Sequence, residues 1–359
     1  LLEGATVTAA ARLVPNAVSD RPISVLIVDD SAVARAALSC IIDSGQGLVL
    51  AAAVDSASAA IGWLQRQVAD VVLLDIEMPG ITGLAALPEL LDAGRGAQVL
   101  IVASTAREGA EATLRALALG AADTLAKPSI GHLNQQFGST LIERVLRLGR
   151  ARRVERNPVR FALRPKLASP VALLAIGAST GGIKALTEFF ENIVPSFDAP
   201  ILITQHLPPT FMPYFADQVA VMAGRLARVA RAGEWAGRGE ILIAPGDAHL
   251  TVRAFQGLFR VELSSAPAVS RCCPSVDPML NAVAEAAGAG AVGVVLTGMG
   301  RDGEHGAAQI VARGGSVIVQ DDASSAVWGM PGTIARAGLA SMVAEPSCLA
   351  EHVVRRGSV

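Results

Sequence analysis

Short apolar runs of three to seven residues alternate with helix-patterned stretches along most of this chain, in two blocks of five. The first block holds Val25–Val28, Leu48–Val54, Val71–Leu74, Val99–Val102 and Thr124–Ala126, with helical stretches such as Ala32–Ile42 and Glu111–Leu119 between and after them. The second holds Val171–Ile176, Ile201–Thr204, Ile241–Ala244, Val292–Leu296 and Val317–Val319, with helices starting near Ile183, Met212, Val276, Gly303 and Pro331. Strands that are apolar without interruption are buried on both faces, which calls for helices on either side of a parallel sheet. The chain therefore reads as two α/β units, each with its ligands at the carboxyl ends of its strands. Residues His249–Arg253 and Phe259–Leu263, joined through Gly257, add an antiparallel hairpin to the second unit.

The expected units span 22–149 and 170–359. Residues 1–21 form an N-terminal extension without the basic start and continuous apolar core of a signal peptide. Residues 150–169 are basic, hold two prolines and show no period, so they read as a linker. With 52% hydrophobic and 17% charged residues the chain is globular, and a net charge of -2 provides no general attraction to nucleic acid or anionic membrane. No stretch reaches the roughly 18 apolar residues of a membrane helix. The four cysteines, Cys40, Cys272, Cys273 and Cys348, follow neither disulfide-framework nor zinc-site spacing, which suits a reducing cytoplasm.

Charge gathers at strand ends in the first unit. Asp29 and Asp30 follow the first strand, Asp75 the third and Lys127 the fifth. Carboxylates at one sheet edge make a hard oxygen site suited to Mg²⁺, and the ammonium can pair with a carboxylate or a phosphoryl group. The set Asp29-Asp30-Ser31, Asp75-x-Glu77-Met78-Pro79-Gly80 and Lys127-Pro128 resembles the response-regulator receiver domain. The resemblance implies a five-stranded, flavodoxin-like parallel fold in which Asp75 accepts a phosphoryl group. It implies that Asp29, Asp30 and Asp75 hold Mg²⁺ and that Lys127 contacts the phosphate. Receivers usually carry Ser or Thr directly after the fourth strand, whereas this chain has Ala103 there, with Ser104 next as the candidate switch hydroxyl.

In the second unit the first strand runs into Gly177-Ala-Ser179-Thr-Gly181. A strand that turns into a helix through Gly-x-Ser-x-Gly presents the serine oxygen and places backbone N–H groups beside it. A serine needs a base, and the base needs a group that fixes its tautomer. His206, at the second strand end, and Asp302, in Leu296-Thr-Gly-Met-Gly-Arg-Asp-Gly303, supply those roles, with His249 and His305 as competing bases. The N–H groups near Thr180 and Met299 are candidate oxyanion donors. A rival reading makes Gly177 to Gly182 a dinucleotide cradle, as in short-chain dehydrogenases. Those enzymes use a Tyr-x-x-x-Lys pair, and here Tyr214, the only tyrosine, is followed four residues later by Gln218.

Taken together, Ile176-Gly-Ala-Ser-Thr-Gly-Gly182, Gln205-His206-Leu-Pro208, Ile243-Ala-Pro-Gly-Asp247, Pro274-Ser-Val-Asp277, Leu296–Gly303 and Val327-Trp-Gly-Met-Pro331 resemble the chemotaxis methylesterase family, CheB. The resemblance implies a C-terminal doubly wound methylesterase domain. It implies hydrolysis of glutamyl γ-methyl esters on methyl-accepting chemoreceptors, with release of methanol, and deamidation of receptor glutamines. Ser179 is then nucleophile, His206 base and Asp302 its orienting acid, with no cofactor for the esterase. The receiver covers the site until a CheA-like histidine kinase phosphorylates Asp75, and the protein acts as a cytoplasmic monomer. Where family sequences commonly show Arg-His-Arg-Pro-Ser-Val-Asp, this chain has Arg271-Cys272-Cys273-Pro274-Ser-Val-Asp277. Other readings are a phosphorylation-dependent binding module without catalysis, or a methylesterase serving a different signalling array.

Overall fold

The computed structural model describes residues 21–103, 107–127, 135–153, 161–165 and 169–357. The extension, Ser104 and much of the basic stretch lie outside the described residues. The first half alternates β1 (Ile23–Val28), α1 (Ala32–Ser44), β2 (Leu48–Val54), α2 (Ala57–Leu64), β3 (Val71–Leu74), α3 (Gly83–Ala93), β4 (Gln98–Ala103), α4 (Arg107–Leu119), β5 (Asp123–Ala126) and α5 (Gln135–Arg153). Its strands form one parallel sheet in the order β2-β1-β3-β4-β5. β3 is buried throughout, whereas β2, at the edge, alternates between partly buried and exposed residues. The strand order reverses between β1 and β3, and that switch point opens the crevice where Asp29 and Asp75 emerge.

The second half contains β6 (Leu173–Ala178), α6 (Gly182–Phe190), β7 (Ile201–Gln205), α7 (Met212–Ala223), β8 (Ala227–Val229), β9 (Trp235–Ala236) and β10 (Ile241–Ile243). The hairpin β11 (His249–Phe255) and β12 (Leu258–Ser264) comes next, followed by α8 (Val276–Ala287), β13 (Ala291–Val295), α9 (Glu304–Ala312) and β14 (Ser316–Gln320). α10 (Met330–Arg336), β15 (Met342–Ala344) and α11 (Pro346–Arg356) complete it. Seven strands form a parallel sheet in the order β15-β14-β13-β6-β7-β10-β8, and β11-β12-β9 form the antiparallel sheet. From β6 the chain winds outward through β7, then returns to the other side at β13. The switch point therefore lies between the carboxyl ends of β6 and β13.

The two halves share apolar packing. Leu114 and Leu117 of α4 belong to one buried cluster with Ile183 and Leu186 of α6 and with Phe211. Burying such side chains contributes about 1.5–3 kcal/mol each, so the contact holds the halves together firmly. α5 continues through Arg153, four residues into the stretch read as linker. Beyond it, Phe161 packs on Trp328 with ring centroids 5.3 Å apart, and Arg164 N–H donates to Ala340 O at 2.9 Å. No helix among the described residues is long and apolar enough to cross a membrane.

Candidate active site

β6 carries the chain to Ala178, so Ser179 is the first residue off the strand. The turn that follows needs glycine: Gly181 has φ +75°, and a Cβ there would lie 2.5 Å from the Ala326 Cβ. Neighbouring strand ends fix the serine backbone. Ser179 N–H donates to Thr297 O at 3.0 Å, and the Gln205 amide donates to Ser179 O at 2.9 Å. The Thr297 hydroxyl donates to Thr180 O at 2.9 Å, while Thr297 N–H donates to Gln320 Oε1 at 2.7 Å. Among the described residues, neither the Ser179 hydroxyl nor the Thr180 and Met299 N–H groups have a hydrogen-bond partner. Those two amides border the cleft that holds Ser179, the arrangement an oxyanion site requires.

His206 follows β7 and stands 2.8 Å from Asp302 through Nε2 and Oδ2. Asp302 is 3% exposed, and four donors surround its carboxylate. Besides His206 these are the Ser275 hydroxyl at 2.7 Å, Val276 N–H at 2.8 Å and Asp277 N–H at 3.2 Å. Val276 and Asp277 open α8, so the positive end of that helix faces the charge. Burial pushes the Asp302 carboxyl up, but the His206 hydrogen bond and charge, with Val276 and Ser275, outweigh it and hold the pKa at about 2. Ionised Asp302 only accepts, so His206 donates through Nε2, and in the neutral imidazole of that tautomer the lone pair is on Nδ1. No hydrogen bond joins Ser179 to His206 among the described residues, and both line one cleft. Such bonds often tighten only when substrate is bound.

The competing histidines separate on geometry. His249 is 2% exposed, bonds Ala266 O through Nε2 at 2.9 Å, and accepts Ser275 N–H on Nδ1 at 3.0 Å. Both its ring nitrogens are committed, and it positions the serine that supports Asp302. His305 lines the cleft, but among the described residues no hydrogen bond orients its ring. Cys272 is also near. Burial and the Asp302 carboxylate push its thiol up, which leaves it neutral and poorly nucleophilic. Sequence reasoning had no signal for His249 as a support, nor for Ser275 donating to a residue 27 positions away.

The cleft, of about 1150 Å³, is walled by both halves of the molecule. Ala122 O, just before β5, accepts Gly181 N–H at 2.7 Å. Asp123 accepts the Thr180 hydroxyl at 3.2 Å and pairs with Arg144 at 3.0 Å. Arg147 of α5 lies against the Met299 sulfur. Charged residues on a helix of the first half gave no hint of this contact in the sequence.

At the other sheet edge Lys127 Nζ lies 2.8 Å from Asp29 and 2.6 Å from Asp75. Burial raises the Asp75 carboxyl pKa despite the lysine. Burial alone would lower the Lys127 pKa, yet the bonds from Asp29 and Asp75 leave it raised and the ammonium charged. Oxygens of Asp29, Asp30 and Asp75 lie within 4.8 Å of one another, a hard donor set that fits Mg²⁺. Ala103 ends β4, is 2% exposed and accepts Lys127 N–H at 2.8 Å.

Residues 174–353 match the CheB methylesterase family and residues 25–136 the response regulator receiver domain. The chain is 42% identical to the protein-glutamate methylesterase/protein-glutamine glutaminase 2 of Caulobacter vibrioides, over 92% of this chain and 98% of that one. It is 39% identical to the protein-glutamate methylesterase/protein-glutamine glutaminase 1 of Paramagnetospirillum magneticum, over 89% and 92% of the two chains. The crystal structure of the Thermotoga maritima CheB methylesterase catalytic domain superposes with a TM-score of 0.50 at 33% identity, covering 51% of this chain and 97% of that one. With a receiver domain ahead of its catalytic domain, this chain belongs to the CheB methylesterase family.

Proposed function

We propose that this chain is a phosphorylation-regulated protein-glutamate methylesterase and protein-glutamine glutaminase. It removes methyl groups from glutamyl γ-methyl esters of chemoreceptors, with a CheA-like histidine kinase as phosphodonor. The observation that carries the chemistry is the His206–Asp302 pair at 2.8 Å beside Ser179. His206 Nδ1 takes the Ser179 proton as Oγ attacks the ester carbonyl, and the Thr180 and Met299 N–H groups hold the oxyanion. His206 then gives that proton to the leaving ester oxygen as the C–O bond breaks, releasing methanol, or to the amide nitrogen of a glutamine, releasing ammonia. Water, activated by the same imidazole, hydrolyses the acyl-enzyme.

Regulation is read through β5. One end of this four-residue strand meets the nucleophile turn through Ala122 and Asp123, and the other leads to Lys127 at Asp75. In the receiver, Asp29, Asp30 and Asp75 would hold Mg²⁺, which when bound neutralises charge on the transferring phosphoryl group. A phosphoryl group on Asp75 draws on the same lysine that now bridges Asp29 and Asp75, which shifts β5 and weakens its hold on Thr180 and Gly181. The Thr180–Asp123 hydrogen bond crosses between the halves and is worth about 1 kcal/mol, whereas the Asp123–Arg144 ion pair stays within the first half. Asp123→Ala is therefore expected to raise basal methanol release about fivefold or more without phosphodonor. An unchanged basal rate would remove Asp123 from the gate.

A further inference from the structure

We propose that the catalytic cleft contains an inhibitory site for a borderline-soft divalent cation, Zn²⁺, formed by His206, Cys272 and Asp302. One ligand atom from each lies within 4.8 Å of the others. Tetrahedral zinc at ordinary bond lengths spaces sulfur, nitrogen and oxygen ligands about 3.3–3.6 Å apart. The His206–Asp302 pair, now 2.8 Å apart, needs to open by about half an ångström, and the Cys272 side chain needs to close by at most about 1.5 Å. Cys272 sits in a loop between Arg271 and Pro274, half-buried, with only a weak contact of 3.8 Å from its sulfur to Ser270 O.

The donor set selects the ion. A thiolate with an imidazole favours zinc over magnesium, whose oxygen preference the receiver site meets instead. Asp302 is held in place by Ser275, Val276 and Asp277, the outer support that orients a carboxylate ligand. The cleft leaves room for water at the fourth position, and exposed Cys273 stands at its edge. On binding, the Cys272 proton passes to solvent as the metal–sulfur bond forms, and no electron is transferred. His206 coordinates through Nε2, the nitrogen facing Asp302, and its proton moves to Nδ1. The ion thus replaces the N–H that bonds Asp302, and the proton on Nδ1 removes the lone pair meant for the serine.

The inhibitory consequence rests on His206 being the base, but binding is tested without it. Full-length, metal-free protein is titrated with Co²⁺ as a spectroscopic probe, and with Zn²⁺ while methanol release is followed. The parent is expected to show a thiolate-to-cobalt charge-transfer band in the near ultraviolet. Cys272→Ser is expected to lose that band and keep basal release within about twofold, since Cys272 touches neither Ser179 nor substrate in the mechanism above. It is expected to need at least about tenfold more Zn²⁺ for half-inhibition. Cys273→Ser is expected to retain the band. A band that survives in Cys272→Ser, or equal zinc sensitivity in that variant and the parent, overturns the site. A band without any esterase activity would keep the metal site and contradict the enzymatic reading instead.

Discussion

Ser179→Ala is expected to lower methanol release at least about 10⁴-fold while leaving the fold intact. The Ser179 Oγ bonds nothing among the described residues, so its removal deletes the proposed nucleophile and no hydrogen bond. Thermal or denaturant unfolding of the variant should then match the parent within about 0.5 kcal/mol. What remains of the rate is the contribution of the oxyanion amides and of substrate binding. A variant that kept its activity would show that another group attacks the ester. Cys272, with its raised pKa, would be a poor replacement.

Asp302→Asn should be nearly as damaging to catalysis and far more damaging to stability. All four groups facing the carboxylate are donors, two on each oxygen. An asparagine satisfies one pair and turns its own N–H₂ towards the other. It also lets His206 take the wrong tautomer, which in comparable triads costs about 10⁴ in kcat. The stability effect depends on pH. The folded pKa of about 2 is below the unfolded value near 4, so Asp302 stabilises the fold above pH 4 by an amount on the order of 2 kcal/mol. That contribution fades as the pH falls through about 2. The gap between parent and Asp302→Asn should therefore be full at pH 7 and shrink on acidification. A gap independent of pH would mean that Asp302 is not the buried anion described here.

Much of this was legible in the sequence because a central parallel strand is buried on both faces. β3 and β6 show the expected uninterrupted apolar runs, and the chemistry stands at their ends as the topology requires. β8, β9 and β15 were not foreseen, since two or three residues are too few to show a period. α11 went unread because charge at its exposed positions hides a buried stripe of Leu349, Ala350 and Val353. The end of α5 looked like linker for a similar reason: the run from Arg150 to Arg153 is basic and shows no apolar period, although the helix continues through it. At the site, Ser179, His206 and Asp302 were proposed from motifs at strand ends, and the fold brings all three to one cleft. Their supports were not, because His249, Ser275 and Asp123 act through contacts between distant positions, and no local pattern records those.

The central claim, a serine esterase gated by its receiver, is tested most directly on methylated receptor membranes. Methanol release would be measured with and without a small phosphodonor, for the parent and for Asp75→Ala. The account predicts release that rises with phosphodonor in the parent and stays at the basal rate in Asp75→Ala. Equal release from both proteins under both conditions would contradict the gate, and no release from the parent in either would contradict the esterase itself.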